Sequence, residues 1–404
     1  MNNYWRRGAY MMILVLLLAA CGTGGTNDPT ATPEESSPPE SPAGSEPAAS
    51  EPTAASDCGV EALGGEAIPV DFQLQWFAQA QFAGYYAAKD LGFYDDAGLD
   101  VTILEGGADI FPQQVVAAPD GPEFGEAWVP KVLVAREEGA DLVNIAQIFQ
   151  RSGTLEISWK DTGIESPEDW AGKTVGVWAG GNEFEVYAAA RQAGLDPEAD
   201  FEVFNQGFAM EELLNRSIDA SEAMIYNELA QVLEKENPET GELYTLDDLN
   251  VIDFNEVGTA MLQDHVIARE SWLADETNGV SNEQVATCFL RASFEGWMHC
   301  RDNAEECVEI ALDNGPILGE GHQRWQMNEV NGLIWPSPDG IGILDEGLWD
   351  QTVQISLESE ILTEEPSDSA FRTDLAQAAL DGIDGDTTGD DFEKADVEVT
   401  PGGE

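Results

Sequence analysis

The chain alternates predicted strands with predicted helices, and it does so in two successive groups. Apolar runs with the length and pattern of strands lie at 70–76, 99–104, 124–129, 142–149, 173–178, 201–204 and 220–226. Stretches with helical spacing fall between these runs. Strands and helices in this order form βαβ units on parallel sheets. The sequence therefore predicts the α/β class, with four strands in a first unit and three in a second.

The two groups predict two lobes joined by a hinge. We assign residues 67–166 and 263–380 to lobe 1 and residues 167–262 to lobe 2. The helical stretches beyond residue 283 are expected to pack back on lobe 1. Ligands of open parallel sheets bind at the carboxyl ends of the strands, so we expect a small ligand in the crevice between the lobes. Hinge closure around that ligand is the expected motion.

Residues 1–20 have the features of a signal peptide. Arg6 and Arg7 precede an apolar run over 11–20 that is too short to span a bilayer. The small residues before Cys21, in the sequence Leu-Ala-Ala-Cys-Gly, match a bacterial lipobox. An ordinary secretory signal with a chance cysteine is the alternative. We expect an exported protein that is anchored to the cell membrane by a lipid on Cys21.

Residues 21–66 have the composition of an extended linker. Seven of the 20 prolines of the chain lie between residues 22 and 57, among serine, threonine, alanine and acidic residues. Such a segment buries too little apolar area to offset the entropy that ordering would cost. It would hold the folded body away from the membrane. Residues 381–404 contain nine acidic residues and Lys394, and we expect a solvated acidic tail there.

The composition is strongly acidic, with 17 Lys and Arg against 78 Asp and Glu and a net charge of −61 at pH 7. Phosphate groups would be repelled, which excludes a general nucleic-acid binder and argues against docking on anionic lipid. A compact state with this charge repels itself unless salt screens it. The acidity indicates adaptation to high salt; an acidic extracellular protein from an ordinary habitat is the alternative.

Four further cysteines follow the lipobox, and export allows them to form disulfides. Cys300 and Cys307 are seven residues apart, so a bridge between them requires a break in the helix, which residues 301–303 could supply. We favour this bridge, with Cys58–Cys288 as the remaining pair, although four cysteines allow three connectivities. No CxxC motif occurs and the three histidines are scattered, so we expect no metal site.

Several blocks resemble the solute-binding proteins related to thiamine-pyrimidine synthases, which are the ThiY-like and SsuA-like receptors of ABC importers. They are Trp76 with 84–89, 92–101, 169–178, 224–229 and 258–264. The resemblance covers about 70–375. The block Gly-Phe-Tyr-x-x-Ala-Gly-Leu-Asp-Val is specific for the superfamily rather than for a ligand.

The resemblance implies a type II periplasmic-binding-protein fold, in which two α/β lobes close over a ligand without covalent chemistry. It also implies delivery of the ligand to an ABC permease. We expect a monomer that needs no cofactor. Its partners would be a small-molecule ligand, the permease and, through the lipid, the membrane.

Thirteen residues are candidates for ligand binding, because they follow predicted strands or lie in the resembling blocks. They are Trp76, Gln79, Trp128, Gln150, Trp178, Gly180, Gly181, Asn182, Glu183, Tyr226, Asn227, Glu228 and Asp264. Each also has a purely structural explanation, such as a core tryptophan, a tight turn or a helix cap.

Two short segments among them suggest specific chemistry. Residues 180–183, Gly-Gly-Asn-Glu, follow a strand and open a helix, where free backbone N–H groups can hold an anion or a polar ligand atom. Residues 226–228, Tyr-Asn-Glu, offer a ring that can stack on a heterocycle and a carboxylate that can accept from an amino group. The leading ligand is therefore a thiamine-precursor pyrimidine or a similar small nitrogenous solute.

Three other functions share this fold. Thiamine-pyrimidine synthases use a histidine in the first loop and clustered cysteines for iron; here Phe82 occupies the place of the histidine and the cysteines are not clustered, so we expect no enzyme. A receptor for a sulfonate, nitrate or aliphatic amide is disfavoured, for anions, by the acidic candidates Glu183 and Glu228. A sensor domain is the last alternative, but no signalling segment is visible.

The acidity yields a first testable prediction. Thermal unfolding of the protein, followed from low to molar KCl, should show a rising midpoint, because salt screens the repulsion among its carboxylates. A midpoint that does not rise would contradict adaptation to high salt.

Overall fold

The computed structural model describes residues 57–315 and 318–404 of the chain. The predicted signal peptide, the lipid-bearing Cys21 and the predicted linker up to residue 56 lie outside the described residues. Within the described ranges, no helix combines the length and the apolar character that a membrane crossing needs.

The strands of the described ranges are β1 (Ile68–Gln73), β2 (Leu99–Leu104), β3 (Phe124–Ala127), β4 (Val143–Gln147), β5 (Thr154–Trp159), β6 (Thr174–Val177), β7 (Glu202–Asn205), β8 (Ala220–Met224), β9 (Leu249–Asp253), β10 (His265–Ala268), β11 (Glu276–Thr277) and β12 (Val280–Ser281). Each of the seven predicted strands is present, with ends shifted by about three residues at most.

The α-helices of the same ranges are α1 (Ala83–Asp90), α2 (Phe93–Asp96), α3 (Pro112–Ala117), α4 (Val129–Glu137), α5 (Phe184–Gln192), α6 (Glu211–Leu214), α7 (Glu228–Leu233), α8 (Phe254–Val257), α9 (Glu270–Leu273), α10 (Asn282–Asp302), α11 (Ala304–Asn314), α12 (Glu320–Ile334), α13 (Glu346–Glu358) and α14 (Asp374–Leu380). Helices α10 to α13 lie in the stretches predicted to be helical.

The first sheet has the strand order β2-β1-β3-β10-β4. Strand β1 pairs in parallel with β2 and β3, whereas β10 runs antiparallel to β3 and β4. Helices α1 and α10 pack together over this sheet, where Phe72 of β1 contacts Tyr85 and Phe289. The chain therefore leaves this sheet after β4 and returns to it with β10.

The second sheet has the order β7-β6-β8-β5-β9. Strand β6 pairs in parallel with β7 and β8, and β5 runs antiparallel to β8 and β9. Because β5 belongs to this sheet, the predicted border between the lobes at residues 166 and 167 is wrong. All six residues of β5 are buried although three are polar, which hides the strand from a search for apolar runs. Lobe 2 begins before β5.

Two crossovers, residues 148–153 and 259–264, join the lobes. The first two N–H groups of the first crossover donate to the carbonyl oxygen of Asp264, at 3.1 and 3.0 Å. Glu185 of α5 lies beside both crossovers: it accepts from Ser152 Oγ at 2.8 Å and from a backbone N–H of the second crossover at 2.5 Å. The hinge is therefore a bonded pair of strands rather than two loose linkers.

Two disulfides, Cys58–Cys288 and Cys300–Cys307, form in the described residues, and they are the pairs that the sequence favours. The second bridge spans the break between α10 and α11. The first bridge ties the start of the described chain to α10, and Leu63 is 2% exposed. The predicted linker therefore extends too far, because its last residues, from position 58 onward, belong to the folded body.

Residues 381–404 pack on the body, so the prediction of a solvated tail is wrong. Lys394 donates to Glu329 of α12 at 2.6 Å. The backbone N–H of Gly402 donates to the carbonyl oxygen of Glu234, at the end of α7, at 2.9 Å. All nine carboxylates of the segment are exposed. The acidic composition therefore describes its outer face, while a few residues attach it to both lobes.

Candidate functional site

A cavity lies between the lobes at the carboxyl ends of β1, β3, β6 and β8. Including its open mouth it encloses about 810 Å³, within the ~300–1,000 Å³ of small-molecule sites. Nine of the thirteen predicted residues line it, namely Trp76, Gln79, Trp128, Trp178, Gly180, Asn182, Tyr226, Asn227 and Glu228. The structure thus brings together residues that are up to about 150 positions apart in the sequence, as parallel sheets that face each other require.

Asp264 does not line the cavity but supports its floor, with no exposed surface. Its Oδ1 accepts from Gln75 Nε2 at 2.5 Å and from Trp128 Nε1 at 2.7 Å. Its Oδ2 accepts from Gln81 Nε2 at 2.8 Å, and Gln81 in turn accepts from Gln79 at 2.8 Å. All four donors line the cavity. Asp264 is therefore a hinge-side acceptor rather than a helix cap, and it fixes the orientation of the floor.

Gln150 lies in the first crossover and lines a different cleft, behind the hinge. Its side-chain nitrogen donates to the carbonyl oxygen of Gln147 at 2.8 Å and to that of Ile343 at 3.3 Å. The structure therefore separates Gln150 from the other candidates. The sequence places it directly after a strand of the first sheet, but the chain turns toward lobe 2 at that point.

The turn at Gly180 and Gly181 brings lobe 2 against lobe 1. Both glycines have a φ of +106°, which other residues adopt only with strain. A Cβ on Gly181 would lie 2.8 Å from Cγ of Lys131. The N–H of Gly181 donates to Glu183 Oε2 at 2.7 Å. The carboxylate of Glu183 therefore occupies this N–H, which the sequence analysis had reserved for a ligand, and neither Gly181 nor Glu183 lines the cavity.

Lys131 lines the cavity, although the predicted set omits it. Its ammonium donates to Asn182 Oδ1 in lobe 2 at 2.6 Å and lies 4.6 Å from the ring centroid of Trp128. Among the described residues that line this cavity, it is the one cation. The signal for it was its spacing, because it follows Trp128 by three positions, one turn into a helix that opens at a strand end.

Aromatic rings from both lobes meet at the mouth of the cavity. The ring centroid of Phe208, in lobe 2, lies 4.7 Å from that of Trp76 in lobe 1 and 5.8 Å from that of Trp178. The rings of Phe208 and Trp178 are inclined by 13°. Phe208 and Phe111, both lining residues, are 44% and 40% exposed. Neither was predicted, because a phenylalanine in a loop has no local pattern that distinguishes a cleft from a core.

Tyr226, Asn227 and Glu228 connect β8 to α7, and each of them is less than 9% exposed. Asn227 Nδ2 donates to Glu228 Oε1 at 2.8 Å, and the backbone N–H of Met224 donates to Glu228 Oε2 at 3.0 Å. Each carboxylate oxygen keeps a second lone pair for another donor. This wall of the cavity therefore combines an aromatic ring with an oriented acceptor.

A model of the family described as NMT1/THI5 like matches residues 79–307, more than half of the chain. The chain belongs to the NMT1/THI5-like family. The matched range contains both crossovers and every lining residue from Gln79 to Glu228. The resemblance that the sequence blocks indicated is thereby confirmed.

Three curated relatives illustrate the breadth of the NMT1/THI5-like comparison. The riboflavin-binding protein RibY of Chloroflexus aurantiacus is 23% identical over 309 residues, which are 73% of this chain and 82% of the relative. The formylaminopyrimidine-binding protein of Halalkalibacterium halodurans is 24% identical over 247 residues, 61% of this chain and 70% of the relative. The 4-amino-5-hydroxymethyl-2-methylpyrimidine phosphate synthase of Legionella pneumophila is 27% identical over 128 residues, 32% of this chain and 40% of the relative.

A solved structure establishes the fold of this family member. The periplasmic nitrate-binding protein NrtA of Synechocystis PCC 6803 superposes with a TM-score of 0.59 at 13% identity, and the match covers 79% of this chain and 89% of NrtA. At this identity the likeness concerns the fold alone. It confirms the predicted α/β fold of the periplasmic-binding type.

Burial perturbs the charged groups around the cavity of this NMT1/THI5-like protein. Loss of hydration raises the pKa of Asp264 to about 6, that of Glu228 to about 7 and that of Glu185 at the hinge to about 8. The same cause lowers the pKa of Lys131 to about 8. The site and hinge therefore contain groups whose charge changes between pH 5 and pH 8.

These shifts predict how stability depends on pH. A carboxyl group whose pKa is higher in the folded state binds protons preferentially there, so its contribution is lost as pH rises through the folded pKa. The free energy of unfolding, measured with urea in molar KCl, should be lower at pH 8 than at pH 5 by about 2 kcal/mol or more. The lowered pKa of Lys131 acts in the opposite direction, but only above about pH 8.

The variant Glu185→Gln is the matched control for this titration, because it removes one raised carboxyl group and keeps the side-chain volume. Its unfolding free energy should change less between pH 5 and pH 8 than that of the wild type. A wild-type protein that is more stable at pH 8 than at pH 5 would contradict the prediction.

Proposed function

We propose that this protein is the solute-binding component of an ABC importer and that its ligand is a small aminopyrimidine. The observation that carries the proposal is the wall formed by Tyr226, Asn227 and Glu228, which faces a cleft between two lobes. A ring, an amide and a carboxylate at one place suit a planar heterocycle with an amino group, and nothing else in the proposal requires a chemical step.

The chemistry of the cavity supports an aminopyrimidine. Trp76, Trp128 and Trp178 supply aromatic faces for a flat ring, and such contacts give large apolar area with defined geometry. Glu228 can accept from the ring amino group, and Gln79 can donate to or accept from ring nitrogens. The relative that is named a formylaminopyrimidine-binding protein supports the same class of ligand.

A larger fused ring is the second candidate. Phe111 and Phe208 are exposed at the mouth of the cavity, where they would extend the stacking surface beyond a single ring. The relative named riboflavin-binding protein RibY supports a ligand of this size. A single pyrimidine would leave these rings in contact with solvent.

Small anions fit the cavity less well. Lys131 supplies one positive charge, but Glu228 lines the same cavity and Glu222 lies behind its wall, where it accepts from the N–H of Trp178 at 2.7 Å. The N–H of Gly181 is already bonded to Glu183. A sulfonate or nitrate would therefore meet more carboxylates than donors, although it would gain from Lys131.

An enzymatic role is not part of the proposal. Phe82, at the place where the synthases would carry their histidine, has no exposed surface and lies in the core of lobe 1. The four cysteines of the described residues form two disulfides. The relatives that span most of their length are named as binding proteins, whereas the match to the phosphate synthase spans 40% of that enzyme.

We further propose that the protein works outside the cytoplasm as a monomer, is anchored by a lipid on Cys21 and passes its ligand to a permease. The lipobox and the acidic linker support the anchor, and the two disulfides support export. The charge of −61 supports a habitat of high salt.

Calorimetric titration in molar KCl tests the ligand directly. Aminopyrimidines, riboflavin, taurine and nitrate should each be titrated into the folded protein. Binding of an aminopyrimidine with no binding of taurine or nitrate is expected. Binding of taurine but of no pyrimidine would overturn the proposed ligand, and iron-dependent turnover of any of these compounds would overturn the receptor itself.

A substitution at Glu228 should remove the proposed contact without emptying the cavity. Glu228→Gln places an NH2 group where an acceptor now stands, so affinity for an aminopyrimidine should fall about 10- to 100-fold. Glu236→Gln is the matched control, because Glu236 is exposed and follows the same helix. Equal affinities of the two variants, measured by calorimetry, would contradict a role of Glu228 in binding.

A further inference from the structure

A buried chain of hydrogen bonds runs from α12 to the wall of the cavity. His322 of α12 is 2% exposed; its Nδ1 lies 2.7 Å from Glu234 Oε1 and its Nε2 lies 2.9 Å from Asn227 Oδ1. Asn227 then donates to Glu228. Glu234, Asn227 and Glu228 are 8%, 7% and 3% exposed. The chain therefore connects two residues that line the cavity to two that do not.

The chemistry of the end group fixes the direction of every bond in this chain. An ionised Glu228 has acceptors only, so the side-chain NH2 of Asn227 must face it. Asn227 Oδ1 then faces His322, which must donate from Nε2. The Nδ1–H side of the ring is left to face the carboxylate of Glu234, the strongest acceptor that the ring could meet there. Asn227 cannot turn its amide over without breaking both of its bonds.

The C-terminal segment closes this chain off from solvent. Gly403 lies on the pair, and a Cβ at this position would be 2.8 Å from Cβ of His322 and 3.0 Å from Oε2 of Glu234. Gly403 has a φ of +74° and is itself buried. Hydrogen bonds that are shielded in this way are stronger than exposed ones, so the orientation of the amide is firmly held.

We propose that His322 is a positioning residue for ligand recognition: it holds Asn227 with its NH2 toward Glu228 and so presents the Glu228 carboxylate as an acceptor for an amino group of the ligand. This inference rests on the proposed function, since it specifies how the same site distinguishes a ring with an amino group from one without. His322 contacts no ligand itself and acts through Asn227.

Two variants of His322 separate positioning from packing. A glutamine can place its Nε2 near the position of the histidine Nε2 and donate to Asn227, whereas an asparagine can reach only toward Glu234. The probes are 4-amino-2-methylpyrimidine and 2,4-dimethylpyrimidine, which differ by an amino and a methyl group. Calorimetric affinities of the wild type, His322→Gln and His322→Asn are compared for both probes, after thermal unfolding confirms that each protein is folded.

We expect the wild type and His322→Gln to prefer the amino probe, and His322→Asn to lose about tenfold of that preference while its affinity for the dimethyl probe changes little. An equal loss for both probes in His322→Asn would overturn the inference, because it would show a merely structural role. A wild type that binds neither probe would overturn the proposed pyrimidine ligand, and this inference with it.

A second measurement needs no variant. The chain contains three histidines, so long-range proton–nitrogen spectra of the labelled wild type can resolve the ring of His322. Nε2 of His322 should carry a proton that is engaged in a hydrogen bond. An unprotonated Nε2 would overturn the inference, because Asn227 would then turn its NH2 to the ring and its oxygen to Glu228.

Discussion

The carboxylate of Asp264 holds the hinge and the floor of the cleft in one arrangement. Its backbone oxygen accepts two bonds from the first crossover, and its side chain accepts from Gln75, Gln81 and Trp128. A buried carboxylate is costly unless charge-assisted hydrogen bonds offset its lost hydration, and three such bonds are present. Loss of any one would leave a buried donor unpaired, at a cost of about 1–3 kcal/mol. Cleft shape and hinge geometry therefore depend on the same residue.

The cavity separates attraction from direction. Rings from both lobes supply contact area, while a few oriented groups, of which Glu228 and Lys131 are charged, supply direction. Stacking and short hydrogen bonds in a desolvated site are little affected by dissolved salt, whereas interactions among the many surface carboxylates are screened. A highly acidic protein can thus keep a selective site under conditions in which its surface charges no longer repel each other strongly. The C-terminal segment adds to this division, because it exposes its carboxylates and seals the pair of His322 and Glu234.

The sequence predicted the parts of the site that follow strands and missed those that depend on contacts between lobes. Trp128 and Tyr226 directly follow apolar runs, and parallel sheets bring strand ends together, so their place was predictable. Lys131 and Phe208 lie in a helix turn and a loop, where only the approach of the opposite lobe makes them part of the cavity. Strand β5 was missed because its polar residues are buried in a sheet, and the C-terminal segment was misjudged because its composition reflects its exposed side.

A ligand-bound crystal structure, grown in molar salt with an aminopyrimidine, tests the central claim most directly. The account predicts one pyrimidine in the cleft, stacked on the tryptophans of the cavity, with its amino group within hydrogen-bonding distance of the Glu228 carboxylate. A pyrimidine bound elsewhere on the protein, or an amino group turned toward Lys131 and away from Glu228, would contradict it.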